Sequence, residues 1–322
     1  MGRFDLKGSL GRGEIFAALA ASAYGSAYVA TAFALRSFEP LAAAVDRSLL
    51  AALVLAVLVW FVRRTAAAPG RAERAPARSR ARLVVRLAIL GALGGAVFLA
   101  GMNLAVAGVG ATIASFVAGL YAVLAAVIAP FILREGLRPR AFVGFIIALA
   151  GTALLAELDL NARGFAGIAW GLLAAASFAM FLLLSRKWGR EEGLDGLVIA
   201  LATMTVAAVA LGLLVVLTRP ASLLPGAIAP EAGLAMAWLV VAAAGGQALA
   251  AASVKLIPAS RSAAFLLLNP IVATILSFFL LGERPSSVQV VGGALVLVGI
   301  AAATVDATVF RRSRSQIAAG GL

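Results

Sequence analysis

The chain of 322 residues is a near-continuous succession of apolar runs about 20 residues long, separated by short polar gaps. A run of that length is what an α-helix needs to cross the hydrocarbon core of a bilayer. Hydrophobic residues make up 63% of the chain and charged residues 13%, with a mean hydropathy of +1.06, so little sequence is left for a soluble domain. A transmembrane barrel would alternate polar and apolar positions along each strand; these runs are unbroken and rich in Ala, Leu, Val and Gly. The reading is an all-α polytopic membrane protein with ten transmembrane helices, at 15–35, 41–62, 84–107, 111–133, 139–157, 165–185, 196–217, 233–256, 261–281 and 286–309. The first run follows Arg3, Lys7 and Arg12 as a secretory signal would, but it stays apolar for about 20 residues and is read as an uncleaved first span.

The chain has no His and no Cys. That removes disulfides, thiolate nucleophiles, Cys/His zinc sites and every His-based catalytic pair. No phosphate-binding GxxxxGK[ST] loop is present, so the chain is not itself an ATPase. Neither a cofactor nor a metal is expected. The net charge of +13 does not point to nucleic acid, because the basic residues sit in the gaps between apolar runs. Twenty-two of them fall in one set of alternate gaps, and only Arg36, Arg163, Arg219 and Arg284 in the other. Positively charged loops are retained in the cytoplasm, so both termini should be cytoplasmic and the protein should lie in the cytoplasmic (inner) membrane. The stretch Arg63–Arg82, with Pro69, Gly70 and Pro76, reads as a flexible basic cytoplasmic loop.

The two halves repeat. A shift of 148 residues lays Phe131 through Glu135 (FILRE) over Phe279 through Glu283 (FLLGE), Val143-Gly144 over Val291-Gly292, and Gly151 over Gly299. The interval from Glu to the first Gly and on to the second is the same in both halves. Residues 1–160 and 161–322 are therefore read as two five-helix repeats. An odd number of helices forces the second copy to insert upside down, which gives an inverted pair with a central site.

Asn269-Pro270 through Gly282-Glu283, followed by Gly292 and Gly299, resembles the signature of the EamA-type repeat in the drug/metabolite transporter superfamily. The resemblance covers nearly the whole chain. It implies a ten-helix inner-membrane carrier with a central cavity, in which the nearest branch exports amino acids. The first half departs from the pattern, with Ala122 where Pro270 falls and Arg134 where Gly282 falls. Glu135 and Glu283 match the family's loop glutamate and read as structural, capping the following helix.

Candidate binding residues are polar or aromatic groups placed where lipid would reject them. Tyr24, Tyr28 and Thr31 fall at i, i+4 and i+7 on the first helix, one stripe that should line a wall. Tyr121 follows the same reasoning. Asn103, Gln247 and Asn269 are amides inside apolar runs and need either substrate or another helix as partner. Trp170 and Ser177 share a face seven residues apart, with Trp170 near enough to the helix start to serve as an interfacial belt residue. Lys255 lies two turns after Gln247 and either holds a substrate carboxylate or snorkels. Asp46 is the candidate for proton coupling, against a structural role. Arg47 is read as reaching outward to the headgroups.

Together these readings describe a secondary transporter that exports small metabolites, amino acids first, by alternating access. Its partners would be a small-molecule substrate and the lipid bilayer. Other amphipathic or cationic metabolites and drugs are the alternative cargo; a passive channel and an intramembrane lipid transferase are the remaining alternatives, the last lacking any His or Cys companion for its acid.

Overall fold

The computed structural model describes residues 11–65, 77–133, 139–155, 162–223, 226–257, 265 and 268–304. Helices α1 (Arg12–Ala34), α2 (Pro40–Thr65) and α3 (Ala77–Gly91) come first. A π-helical segment (Ala92–Val97) joins α3 to α4 (Phe98–Gly119), and α5 (Tyr121–Leu133) and α6 (Pro139–Leu155) follow. The later part holds α7 (Ala162–Glu192), α8 (Gly196–Thr218), α9 (Pro230–Leu256), α10 (Leu268–Leu276), a π-helical end (Ser277–Leu281) and α11 (Ser287–Thr304). Among the described residues no strand occurs.

Six helical stretches are long and apolar enough to cross a membrane, and Pro139–Leu155, Leu268–Leu281 and Ser287–Ala303 are shorter apolar helices. The longest stretch, Arg80–Leu133, runs for 54 residues and is broken at Gly110, whose φ of 79° and ψ of 171° no helix tolerates. The protein is thus a multi-pass membrane protein.

Helix starts and stops follow local chemistry. Pro40 and Pro230 occupy first helical positions, where a missing N–H costs nothing. Asp195 caps α8 by accepting from the Leu197 N–H at 3.1 Å. Two ends differ from expectation. The basic stretch after Arg63 is helical from Ala77, because Ala77 through Arg82 carries good helix formers and no Gly or Pro; its central part lies outside the described residues. Helix α7 continues to Glu192, beyond residue 185, and stops at Gly193 with φ 63°. That extension meets Arg86, which pairs with Glu191 at 2.8 Å and with Glu192, and lies over the Trp188 ring.

The bundle is organised by pairs between early and late helices. Helix α1 packs along α9 and α10, as α7 packs along α4 and α5; α2 lies on α8, and α6 on α11. At the end where α1 stops and α9 starts, Arg36 faces Glu231 at 3.9 Å and Arg219 faces Glu39 at 3.5 Å.

The tightest seam is α6 against α11. A Cβ on Gly144 would stand 2.5 Å from the Gly299 carbonyl oxygen, and one on Gly299 would stand 2.5 Å from that of Gly144. Gly151 and Gly292 meet reciprocally at 2.6 and 2.8 Å. Residue 144 meets 299 while 151 meets 292, so the helices run antiparallel and main chain touches main chain.

Candidate functional site

A cavity of about 320 Å³ lies where α1, α2, the π-helical segment before α4, α4, α5, α7, α8, α9 and α10 converge. That volume is at the lower end of small-molecule sites. Its polar lining comes from Tyr24 and Tyr28 on α1, Arg47 on α2, Tyr121 on α5, Gln247 on α9 and Asn269 on α10. Its apolar lining includes Phe98, Phe178, Phe181, Leu182, Met102 and Met204. Phe178 is the centre of an aromatic wall: its ring stands 4.4 Å from Phe98, 5.4 Å from Phe181, and 4.9 Å edge-on from Tyr121.

Glycines admit two of the cavity's rings. A Cβ on Gly246 would lie 2.7 Å from the Tyr24 ring, and a Cβ on Gly94 would lie 2.4 Å from the Phe181 ring. The first helix of each half therefore lays an aromatic side chain over a glycine of the other half. Gly95 does pack closely, against Thr203 and Ala207, whereas nothing lies within 4 Å of a Cβ on Gly245.

Asn269 Nδ2 donates to the Tyr121 hydroxyl at 3.4 Å, and Asn269 Oδ1 is buried with no hydrogen-bond partner among the described residues. Arg47 is 6% exposed, and its Nε and Nη1 likewise have no such partner. None of the described residues lining the cavity is acidic.

Of the candidates from sequence, Tyr24, Tyr28, Tyr121, Gln247 and Asn269 come together here. Thr31, Asn103, Trp170, Ser177 and Asp46 lie off the lining. Thr31 is fully buried and donates to the Ala27 carbonyl one turn back at 2.8 Å, and Ser177 does the same toward Ala174 at 2.9 Å. Asn103 is buried and donates to the Pro40 carbonyl at 2.9 Å, tying α4 to the start of α2. Trp170 is 40% exposed on the outside of α7. Asp46 is half-buried and lines no part of the cavity. Lys255 is on the last turn of α9, and its side chain lies outside the described residues, as does the loop carrying Glu135.

Glu283 caps a helix, though not the one that follows it. Its Oε1 accepts from the Ala111 N–H at 2.9 Å and its Oε2 from the Thr112 N–H at 3.0 Å. The break at Gly110 exposes a new helical N-terminus in mid-chain, with orphan N–H groups that attract a carboxylate.

The sequence profile of the EamA-like transporter family matches residues 11–156 and again residues 165–305. The chain belongs to the EamA-like transporter family. A further relative is the "Probable terminal-alkyne amino-acid exporter" of Streptantibioticus cattleyicolor, 31% identical over 243 residues that span 69% of this chain and 74% of the relative. A protein of known crystal structure shares the fold at a TM-score of 0.62, with 18% identity over 91% of this chain and 96% of its own.

In this EamA-like chain, the outward reach to the headgroups read for Arg47 is overturned, since Arg47 is buried on the cavity lining, and the phenylalanine wall was not foreseen. Arg47 offered a signal, since a cation seven residues into an apolar helix is costly wherever it points. Phe98, Phe178 and Phe181 offered none among 17 phenylalanines in a chain this apolar.

Proposed function

We propose that the protein exports small metabolites, amino acids foremost, from the cytoplasm by alternating access at this cavity. The observation that carries the proposal is the cavity itself, enclosed by helices from both family-matched segments, with Tyr121 and its repeat counterpart Asn269 bonded across it. A site shared between two like halves can open to one side or the other as the halves exchange conformations. The relative's printed name, an amino-acid exporter, supports the cargo class. We assign the binding surface to Tyr24, Tyr28, Tyr121, Gln247 and Asn269, with the ring faces receiving the substrate's apolar side chain and ammonium group.

In this reading ten spans form two inverted five-helix repeats, 1–160 and 161–322, in the cytoplasmic membrane with both termini inside. The antiparallel, reciprocal Gly144–Gly299 and Gly292–Gly151 contacts support it, since equivalent helices meeting head to foot imply an axis in the membrane plane. Because the chain has no native cysteine, topology is directly testable: Arg140→Cys and Arg284→Cys should react with an impermeant thiol reagent from opposite sides. Reaction from one side overturns the inverted arrangement.

Transport is tested by counterflow in proteoliposomes of the purified protein against amino acids, nucleosides and cationic drugs, with and without a pH gradient. Saturable counterflow of amino acids supports the carrier. Preference for cationic drugs or nucleosides reassigns the cargo, and unsaturable flux makes the protein a channel.

A further inference from the structure

Arg47 is a buried cation without a counter-ion among the described residues. Helix α2 carries it to the cavity wall, 6% exposed, and neither Nε nor Nη1 has a hydrogen-bond partner among the described residues. Ion pairs between described residues are formed instead at Arg36, Arg86 and Arg219. The adjacent Asp46 does not serve, since neighbours on a helix point about 100° apart and Asp46 is absent from the lining. An isolated guanidinium in an apolar site is expensive unless an anion meets it, and its planar fork matches a carboxylate.

A second unsatisfied group has the opposite polarity. Asn269 Oδ1 is a buried acceptor without a partner, beside a Tyr121 hydroxyl that already receives the amide's N–H. Both residues line the cavity, Arg47 from α2 and Asn269 from α10, with the Phe178 wall also on its surface; their unpaired atoms are themselves occluded, so a side-chain shift brings them to a ligand.

We propose that Arg47 is the carboxylate anchor of the transport site and Asn269 Oδ1 the acceptor for the substrate's ammonium group. The cargo is then selected as a zwitterion with an apolar side chain, and cations without a carboxylate are rejected by the charge of Arg47. This rests on the reading of the cavity as the transport site.

The test uses the full-length protein in proteoliposomes, with labelled L-leucine, L-phenylalanine and L-tryptophan as cargo and their amides as competitors; the amides keep the ammonium and side chain but lose the carboxylate. The wild type should transport at least one of the amino acids and be inhibited by its amide about a hundredfold more weakly than by the amino acid itself. Arg47→Gln should raise the half-saturating concentration by a similar factor and erase the discrimination, and Arg47→Lys should restore part of both. The transported amino acid should raise the wild-type Tm and leave that of Arg47→Gln unmoved.

If the wild type transports amino acids but treats the amides equally, the anchor is wrong while the exporter stands. A monodisperse Arg47→Gln protein that keeps its half-saturation overturns the anchor in the same way. Should Arg47→Gln fail to fold, the wild-type discrimination alone decides. No saturable counterflow of any amino acid overturns the exporter reading, and the anchor with it.

Discussion

Asn269 and Tyr121 stand 148 positions apart in the chain, and the amide nitrogen of one donates to the hydroxyl of the other at 3.4 Å. The same shift relates the FILRE and FLLGE segments, so equivalent points of the two halves meet across the cavity.

Breaking that bond should separate binding from folding. Tyr121→Phe keeps the ring and its edge contact with Phe178 but strands a buried amide donor, at a cost of about 1–3 kcal/mol. Asn269→Ala removes both the donor and the acceptor of the amide and should cut amino-acid counterflow about tenfold or more, ~1.4 kcal/mol. Membrane insertion, followed by fluorescence-detected gel filtration, should be unchanged in both.

The glycine seam predicts sensitivity to any side chain. Gly299→Leu drives a branched side chain into the Gly144 carbonyl, where even a Cβ is too close, and should cost at least about 1–3 kcal/mol of stability. Gly245→Ala, which meets nothing within 4 Å, should be neutral or stabilising. A thermal shift assay in detergent reads both.

Gly246→Ala is expected to act on transport. The added methyl would displace the Tyr24 ring into the cavity, raising the half-saturating concentration about tenfold while leaving the amount of protein in the membrane intact. Equal half-saturation in Gly246→Ala and wild type would remove Tyr24 from the binding surface.

Glu283→Ala should lower stability by about 0.5–2 kcal/mol, the worth of a helix cap. Both carboxylate oxygens are in use, on Ala111 and Thr112, so Glu283→Gln should recover only part of the loss. Identical Tm values for wild type and Glu283→Ala would show that the cap carries no weight.

The sequence made the helices legible because lipid leaves few alternatives. The span expected at 196–217 is observed at Gly196–Thr218, and the break expected between 107 and 111 falls at Gly110. The repeated Gly-to-Gly interval marked the repeat, and in the structure its four glycines meet one another. What it could not supply was the partner of Glu283, a contact 172 residues away that depends on how two broken helices lie side by side. Arg47 escapes the sequence for a related reason. Its place along α2 suggests the outer surface, but burial is set by the neighbours that α2 leans on, and those include both α8 and α9. Thr31 and Ser177 show the converse: an apolar helix can absorb a hydroxyl by bonding it to a carbonyl one turn back, and periodicity does not distinguish this from a group facing a ligand.

The contact between α6 and α11 rests on bare backbone at four glycines. Cores with interlocking side chains resist sliding, because each rotamer must be re-seated when one surface moves past another. At those four positions the seam has no side chain to re-seat, although Ala148, Leu154, Leu295 and Ala303 pack beside them. Small rotations about it would leave the local chemistry untouched while their displacement grows with distance from the fulcrum.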